Sequence, residues 1–382
     1  MEFYAFHLMP WPHLPAGFRE NYDSAWVTLP NSVYDPEEGH RLYNRYLDEL
    51  VYAEEAGFDG VCVNEHHQNA YGTMPSPNLV AAMLVQRTKR AKIAVLGNAL
   101  PLRDHPLRVA EEIAMLDVFS GGRIISGFVR GIGAEYHSFG VNPAHSRERH
   151  MEAHDLIVKA WTEPGPFSWD GKHYHLRYVN PWPRPLQQPH PPIWIPSQGS
   201  GETIDWAAEH RYCYMQTYTP IIQIKPFFDQ YRAAAEQAGY TATPDQLGWA
   251  VPVYVGKTDA EARDEAWPHL DMFNNDLLRM PPELFFPPNY LTEQSMERVL
   301  AAKRGLSALK SWQDVDGAGL AIVGSPDTVL RRLEEAHRLL GFGRLIPFVQ
   351  FGSLPADLTK WNIERIAEHI MPRLRPLAAV VP

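Results

Sequence analysis

The sequence predicts an α/β fold, a TIM-type (β/α)8 barrel with insertion loops over the C-terminal mouth of its sheet, and three observations carry that prediction. Short apolar strand runs alternate with helical patterns in units of about 30 residues, the rhythm of parallel strands joined by crossover helices. One such run, Val61-Cys-Val-Asn64, stops abruptly at Glu65-His66-His67, where a barrel strand would present catalytic groups at the mouth of the sheet. An open doubly wound sheet would alternate in the same way, but no Gly-x-Gly-x-x-Gly follows the first strand. A chain of 382 residues has room for one barrel with insertions, and residues 1–382 read as a single domain.

Each element follows from its pattern. Residues 2–8 alternate aromatic and aliphatic groups and form the first strand. The aromatic, Pro-rich stretch 10–36 is too long for an ordinary βα connection and reads as an excursion over the mouth, a candidate substrate lid. Leu42, Tyr46, Leu50 and Ala53 are spaced for a helix over 37–56, and Gly57 suits its C-terminal cap. The strand 60–64 is followed by a helix opened by Pro77, then by the strand Lys92–Pro101, a helix from His105-Pro106 through Leu116, and the strand Ile124–Val129. After a helix over 147–161, Trp169-Asp170-Gly171 predicts a hairpin turn, and the Pro-dense run 181–192 an extended surface segment. Pro192–Pro196 is a strand, 202–210 and 221–238 are helices, and 248–255 is a strand. The second irregular block, 262–318, contains Met280-Pro-Pro-Glu-Leu-Phe-Phe-Pro-Pro-Asn289, which excludes regular structure there. The barrel rhythm resumes at Gly319, with Ser325 or Asp327 free to cap a helix, and ends in a strand near 345–351 and a helix over 358–370.

Composition narrows the function. Net charge is −10 and no basic run offers a phosphate-backbone footprint, so nucleic acid is not an expected partner. No stretch approaches 18 uninterrupted apolar residues, and the N-terminus lacks the basic and apolar regions of a signal peptide, so no membrane association and a cytoplasmic setting are expected. Cys62 and Cys213 form no pairing motif, in keeping with a reducing compartment.

Three strand ends finish in residues suited to a flat polar ligand: Glu65-His66-His67, Gly97-Asn98 and Val129-Arg-Gly-Ile-Gly133. A histidine at such a place can serve as acid, base or donor near neutral pH. Arg130 suits bidentate contact with a phosphate. Gln198-Gly199-Ser200-Gly201 directly precedes a helix, whose first N–H groups with the Ser200 hydroxyl make a phosphate cradle; without a Walker-type Lys or a pyrophosphate fingerprint, a monophosphate fits best. No metal site is expected: adjacent His66 and His67 would point apart on an extended chain, and His150/His154 lack the intervening Glu of zinc hydrolases. Nor is there a Gly-x-Ser-x-Gly nucleophile elbow.

Taken in order, Glu65-His66-His67, Gly97-Asn98, His105-Pro-Leu-Arg-Val-Ala-Glu-Glu, Leu116-Asp-Val-Phe-Ser-Gly-Gly-Arg123, Gly127-Phe-Val-Arg-Gly131, Glu135-Tyr-His-Ser-Phe-Gly140, Gly199-Ser200 and Val323-Gly-Ser-Pro-Asp327 resemble the bacterial luciferase-like flavin-dependent monooxygenase family. The resemblance runs from residue 37 to the end and is weakest in the blocks 10–36 and 262–318. It implies a barrel that binds FMN, or in some branches a reduced deazaflavin, at the C-terminal mouth. By the same resemblance His66 takes the catalytic position. Gly97 and Asn98 fall at a non-proline cis peptide beneath the flavin ring. Arg130 and Ser200, with Gly199 and Gly201 beside it, fall at the flavin phosphate, and Glu65, Tyr136, Ser146 and His150 lie near other flavin contacts. Reduced FMN from a separate flavin reductase, together with O2, would hydroxylate a small-molecule substrate or insert oxygen beside a carbonyl. The alternatives are hydride transfer by a deazaflavin-dependent oxidoreductase and a non-catalytic flavin-binding subunit. The luciferase α chain has a reactive Cys where this chain has Val129, so light emission is not implied. A homodimer is expected, with 78–88 and 106–118 as its candidate face.

Overall fold

The computed structural model describes residues 1–290 and 311–377. Eight parallel strands close into a barrel: β1 (Glu2–Phe6), β2 (Gly60–Val63), β3 (Lys92–Ala99), β4 (Ile124–Val129), β7 (Ile193–Ser197), β8 (Cys213–Thr217), β9 (Leu247–Val255) and β11 (Arg344–Phe348). Closure comes from the β8–β9 ladder, Tyr214 to Leu247 through Thr217 to Ala250, and from β11 pairing with both β9 and β1. A short strand, β10 (Ile322–Gly324), pairs with the outer end of β9, and β5 (Phe167–Asp170) with β6 (His175–Val179) forms a separate antiparallel hairpin.

The outer ring holds α2 (Pro36–Glu55), α3 (Pro77–Arg87), α4 (Leu107–Ser120), α6 (Ser146–Thr162), α7 (Gly201–Glu209), α8 (Ile221–Gln237), α12 (Pro326–Leu340) and α13 (Ala356–Arg365). Smaller pieces are α1 (Phe18–Asn21), α5 (Gly133–Phe139), α9 (Asp259–Met272), α10 (Pro282–Phe285) and α11 (Trp312–Gly317). The caps follow ordinary chemistry. Asp35 accepts the amides of Glu37 and Glu38 before Pro36 at the first turn of α2, and Ser325 accepts that of Thr328. Every residue of β2 and β9 is buried, as expected of strands covered by side chains within and helices without. Among the described residues, no helix is long and apolar enough to cross a membrane.

Three readings of the sequence change. Residues 213–217, passed over between two helical patterns, form a barrel strand whose polar Gln216 is satisfied internally by Tyr214 and Thr219. The Pro-rich run 280–289 is not wholly irregular: Pro282 opens the four-residue helix α10, a position where the missing N–H costs nothing. The cis peptides among the described residues all precede proline, at Pro166, Pro183 and Pro189, so Gly97–Asn98 is not one. Instead β3 carries an irregularity between Val95 and Asn98 in its register with β4. Gly97 there adopts φ +127°, and a Cβ would lie 2.5 Å from a Val129 methyl. Of the second insertion, residues 291–310 lie outside the described residues.

Candidate active site at the barrel mouth

A cavity of about 240 Å³ opens at the C-terminal ends of the strands. Its apolar wall includes Phe6, Tyr71, Leu96, Phe128, Ile195 and Phe348, and Leu278, Phe285 and Phe286 of the second insertion close over it. None of residues 10–36 lines it. That segment buttresses the site from behind: Trp26, 1% exposed, stacks on Tyr71 and meets the edge of His66, and its indole N–H donates to the Leu277 carbonyl at 2.9 Å.

His66 and Arg130 mark two chemically distinct regions of the cavity. β2 delivers His66, whose Nδ1 lies 3.3 Å from Oε1 of Glu135. Glu135 is 1% exposed and is held in turn by the amides of Ile132 (2.7 Å) and His67 (3.2 Å). A buried carboxylate facing Nδ1 favours the tautomer with its proton on that nitrogen, which leaves Nε2 to accept or relay a proton. Glu65 also lines the cavity, but its carboxylate is engaged by His67 (2.8 Å), the Ala99 amide (3.2 Å) and Arg103 (2.6 Å). It braces the β2 and β3 ends.

The second region suits an anion. Arg130, at the end of β4, donates to the Tyr290 carbonyl at 3.0 Å and sits over the Tyr290 ring. Arg147, in the first turn of α6, reaches the Ser200 hydroxyl at 3.2 Å and Glu202 at 3.4 Å. Burial, and then the neighbouring charge of Arg130, hold Arg147 below the ordinary arginine pKa. Two guanidinium groups converge there with Ser200 at the N-cap of α7, where the positive end of the helix dipole also favours negative charge. Gly199 makes the preceding turn, with φ +97° and no room for a Cβ, which would lie 2.4 Å from the Phe227 ring. His150, one turn after Arg147, is buried, and its Nδ1 lacks a hydrogen-bond partner. Burial foremost, then the charges of His154 and Arg130, push its pKa down to about 3. A phosphate monoester meets this donor set well.

The structure thus brings Glu65, His66, Arg130, His150 and Ser200 together on the cavity wall. Gly97, Gly199 and Gly201 are not among its lining residues, and Asn98 exchanges hydrogen bonds with Asn78 at 3.1 and 3.3 Å. Tyr136 donates to the Arg130 carbonyl and Ser146 accepts from the Arg130 guanidinium at 3.4 Å, so both position Arg130 without lining the cavity. Glu135 and Arg147 were missed as site residues. Arg147 lies at i, i+3 from His150 on one helix, which places both on one face and was the available signal.

Comparison with known proteins agrees with this geometry. Residues 25–342 match the family model described as luciferase-like monooxygenase. Protein y4wF of Sinorhizobium fredii is 30% identical over 350 residues, which cover 88% of this chain and 94% of that protein. The oxygenase component of flavin-dependent trigonelline monooxygenase from Acinetobacter baylyi is 23% identical, with 89% of this chain and 92% of that protein covered. Among solved structures, the oxygenating constituent of 3,6-diketocamphane monooxygenase from Pseudomonas putida, in complex with FMN, superposes with a TM-score of 0.74 at 20% identity, covering 97% of this chain and 98% of that one. An F420-dependent secondary alcohol dehydrogenase superposes at 0.69 and 17%, covering 98% and 99%. With the family model spanning most of the chain and the strand-end motifs gathered around one cavity, this protein belongs to the luciferase-like monooxygenase family and is a flavin-dependent oxidoreductase.

Proposed function

We propose that this chain is the oxygenase of a two-component system that takes reduced FMN from a separate flavin reductase and uses O2 to hydroxylate, or Baeyer–Villiger-oxidise, an apolar or aromatic substrate. The observation that carries the reading is the convergence of Arg130, Arg147 and the Ser200 N-cap at a cavity whose wall is otherwise rich in aromatic and aliphatic side chains and also carries His66 and His150. In this reading the cradle binds the FMN phosphate, and the bound flavin supplies the redox chemistry with oxygen. The aromatic wall excludes water and seats the substrate. His66, oriented by Glu135, holds or moves a proton at Nε2. The trigonelline and diketocamphane monooxygenases support the oxygenase reading.

The alternative, hydride transfer with a reduced deazaflavin, is favoured by the similarity to the F420-dependent dehydrogenase. A non-catalytic flavin-binding subunit is less favoured, because it has no need of the buried Glu135 behind His66. Anaerobic titration with reduced FMN and, separately, reduced deazaflavin decides. Tight binding of FMN alone supports the oxygenase, preference for the deazaflavin moves the reaction to hydride transfer, and binding of neither overturns the assignment of the phosphate cradle.

A homodimer belongs to the same reading. Leu79 and Met83 on α3 and Met115, Val118 and Phe119 on α4 are exposed on adjoining helices. Light scattering on Leu79→Glu/Phe119→Glu, expected to be monomeric, tests it. The free, buried Cys62 and Cys213 suit a cytoplasmic setting.

A further inference from the structure

We propose that His145, Glu148 and His173 form a binding site for a divalent transition metal ion of the zinc class, on the outer surface where the β5–β6 hairpin meets the start of α6. The three ligand atoms all lie within 4.8 Å of one another. Nε2 of His173 is 3.1 Å from Oε2 of Glu148, and Nδ1 of His145 is 3.7 Å from the same oxygen. Ligands on a tetrahedral zinc, at about 2.0–2.1 Å from the metal, stand roughly 3.4 Å apart, so small side-chain rotations complete the set. Two imidazoles and one carboxylate are a borderline-soft donor set that selects such metals over magnesium or calcium.

The backbone around the site is already fixed. Glu152, one turn along α6 from Glu148, accepts the amides of Lys172 (3.1 Å), His173 (2.8 Å) and Tyr174 (3.0 Å) and the indole N–H of Trp169 (3.2 Å). The hairpin turn is thereby fastened to α6, and the third ligand arrives 25 residues after Glu148 without a flexible tether. This separation is why the ligand set is not legible as a sequence motif. Lys172 rests on both oxygens of Glu148, at 2.8 and 2.9 Å, and a bound metal would replace that ammonium. The site would clamp the hairpin to the first turn of the helix that carries Arg147 and His150, and it stands whichever flavin the barrel takes.

The test is calorimetric titration of the chelator-treated full-length protein with Zn2+, beside His145→Ala, His173→Ala and Lys172→Ala. All three substitutions lie outside the cavity; His145 and Lys172 are exposed and His173 is partly buried. Saturable one-to-one binding is expected in the parent protein. Each histidine substitution should weaken it by at least about tenfold, since even the outer-shell partners of metal ligands are worth about 10–100-fold in affinity. Lys172→Ala should tighten it. With Cu2+ as a spectroscopic probe, hyperfine coupling to two imidazole nitrogens is expected, falling to one in either histidine variant. Absence of one-to-one zinc binding, or binding unchanged in both histidine variants, overturns the proposal.

Discussion

Nδ1 of His66 lies 3.3 Å from Oε1 of Glu135, a residue 69 positions further along the chain and 1% exposed. The pair joins the end of β2 to the start of α5 and gives the imidazole a fixed orientation. Replacing Glu135 by Gln preserves the shape but not the charge that favours a proton on Nδ1. Turnover at saturating reduced flavin should fall by about 10²-fold, at the low end of what positioned acid–base groups contribute. Flavin affinity should hold, and the pH profile should shift. His66→Ala should lower turnover at least as far. Unchanged turnover in His66→Ala would remove the proton-handling role altogether.

The two-arginine cradle makes a prediction about ligand selectivity. Arg147→Ala and Arg130→Ala should each weaken FMN binding by roughly 10–100-fold, the worth of about 1.5–3 kcal/mol for a hydrogen bond to a charged group. Riboflavin, which lacks the phosphate, should bind the parent and the variants alike. Equal losses for both flavins would mean that the arginines support the fold rather than the phosphate.

Stability should decline on the acid side in a way that His150 helps to set. Its folded pKa is pushed from 6.5 down to about 3, chiefly by burial. Between those values the unfolded chain takes up a proton that the folded chain refuses. The neutral form's contribution is therefore complete above pH 6.5 and is lost as pH falls, on the order of 1 kcal/mol per pH unit. His7, His154, His269 and His337 are displaced in the same direction, each mainly by burial, and add to the slope. Denaturant melts at a series of pH values should show a shallower acid decline in His150→Gln than in the parent.

Trp26 ties the first insertion to the second through its hydrogen bond to Leu277, and it stacks on Tyr71 of the cavity wall. Trp26→Ala should cost about 3–5 kcal/mol, the usual range for a buried tryptophan. Trp26→Phe keeps most of the packing but leaves the Leu277 carbonyl unpaired, so it should cost about 1–3 kcal/mol. Both are read from chemical denaturation midpoints. A loss of substrate affinity in Trp26→Phe, with flavin affinity intact, would mark the insertions as one closing unit.

The barrel was legible in the sequence because most of its strands are buried on both faces and its helices on one, so apolar spacing reports them directly. The strand Cys213–Thr217 escaped that reading because Tyr214, Gln216 and Thr217 interrupt the apolar run, and only the closed sheet shows that the Gln216 amide is satisfied inside by Tyr214 and Thr219. His66, Arg130 and Ser200 were legible for a similar local reason: each stands where a strand ends or a helix begins, and such ends must face the mouth. Their partners were not. Glu135 behind His66, Arg147 beside Arg130, Trp26 behind Tyr71 and His173 beside Glu148 are all set by distances through space between residues remote in the chain. The turn of Asn98 toward Asn78 was equally hidden, since it depends on a local irregularity in β3 and on the close approach of Val129 to Gly97. Local pattern specifies where a chain turns and what it buries, whereas the pairing of charges across a cavity depends on how the ring of strands closes, and that is decided only when all of them pack at once.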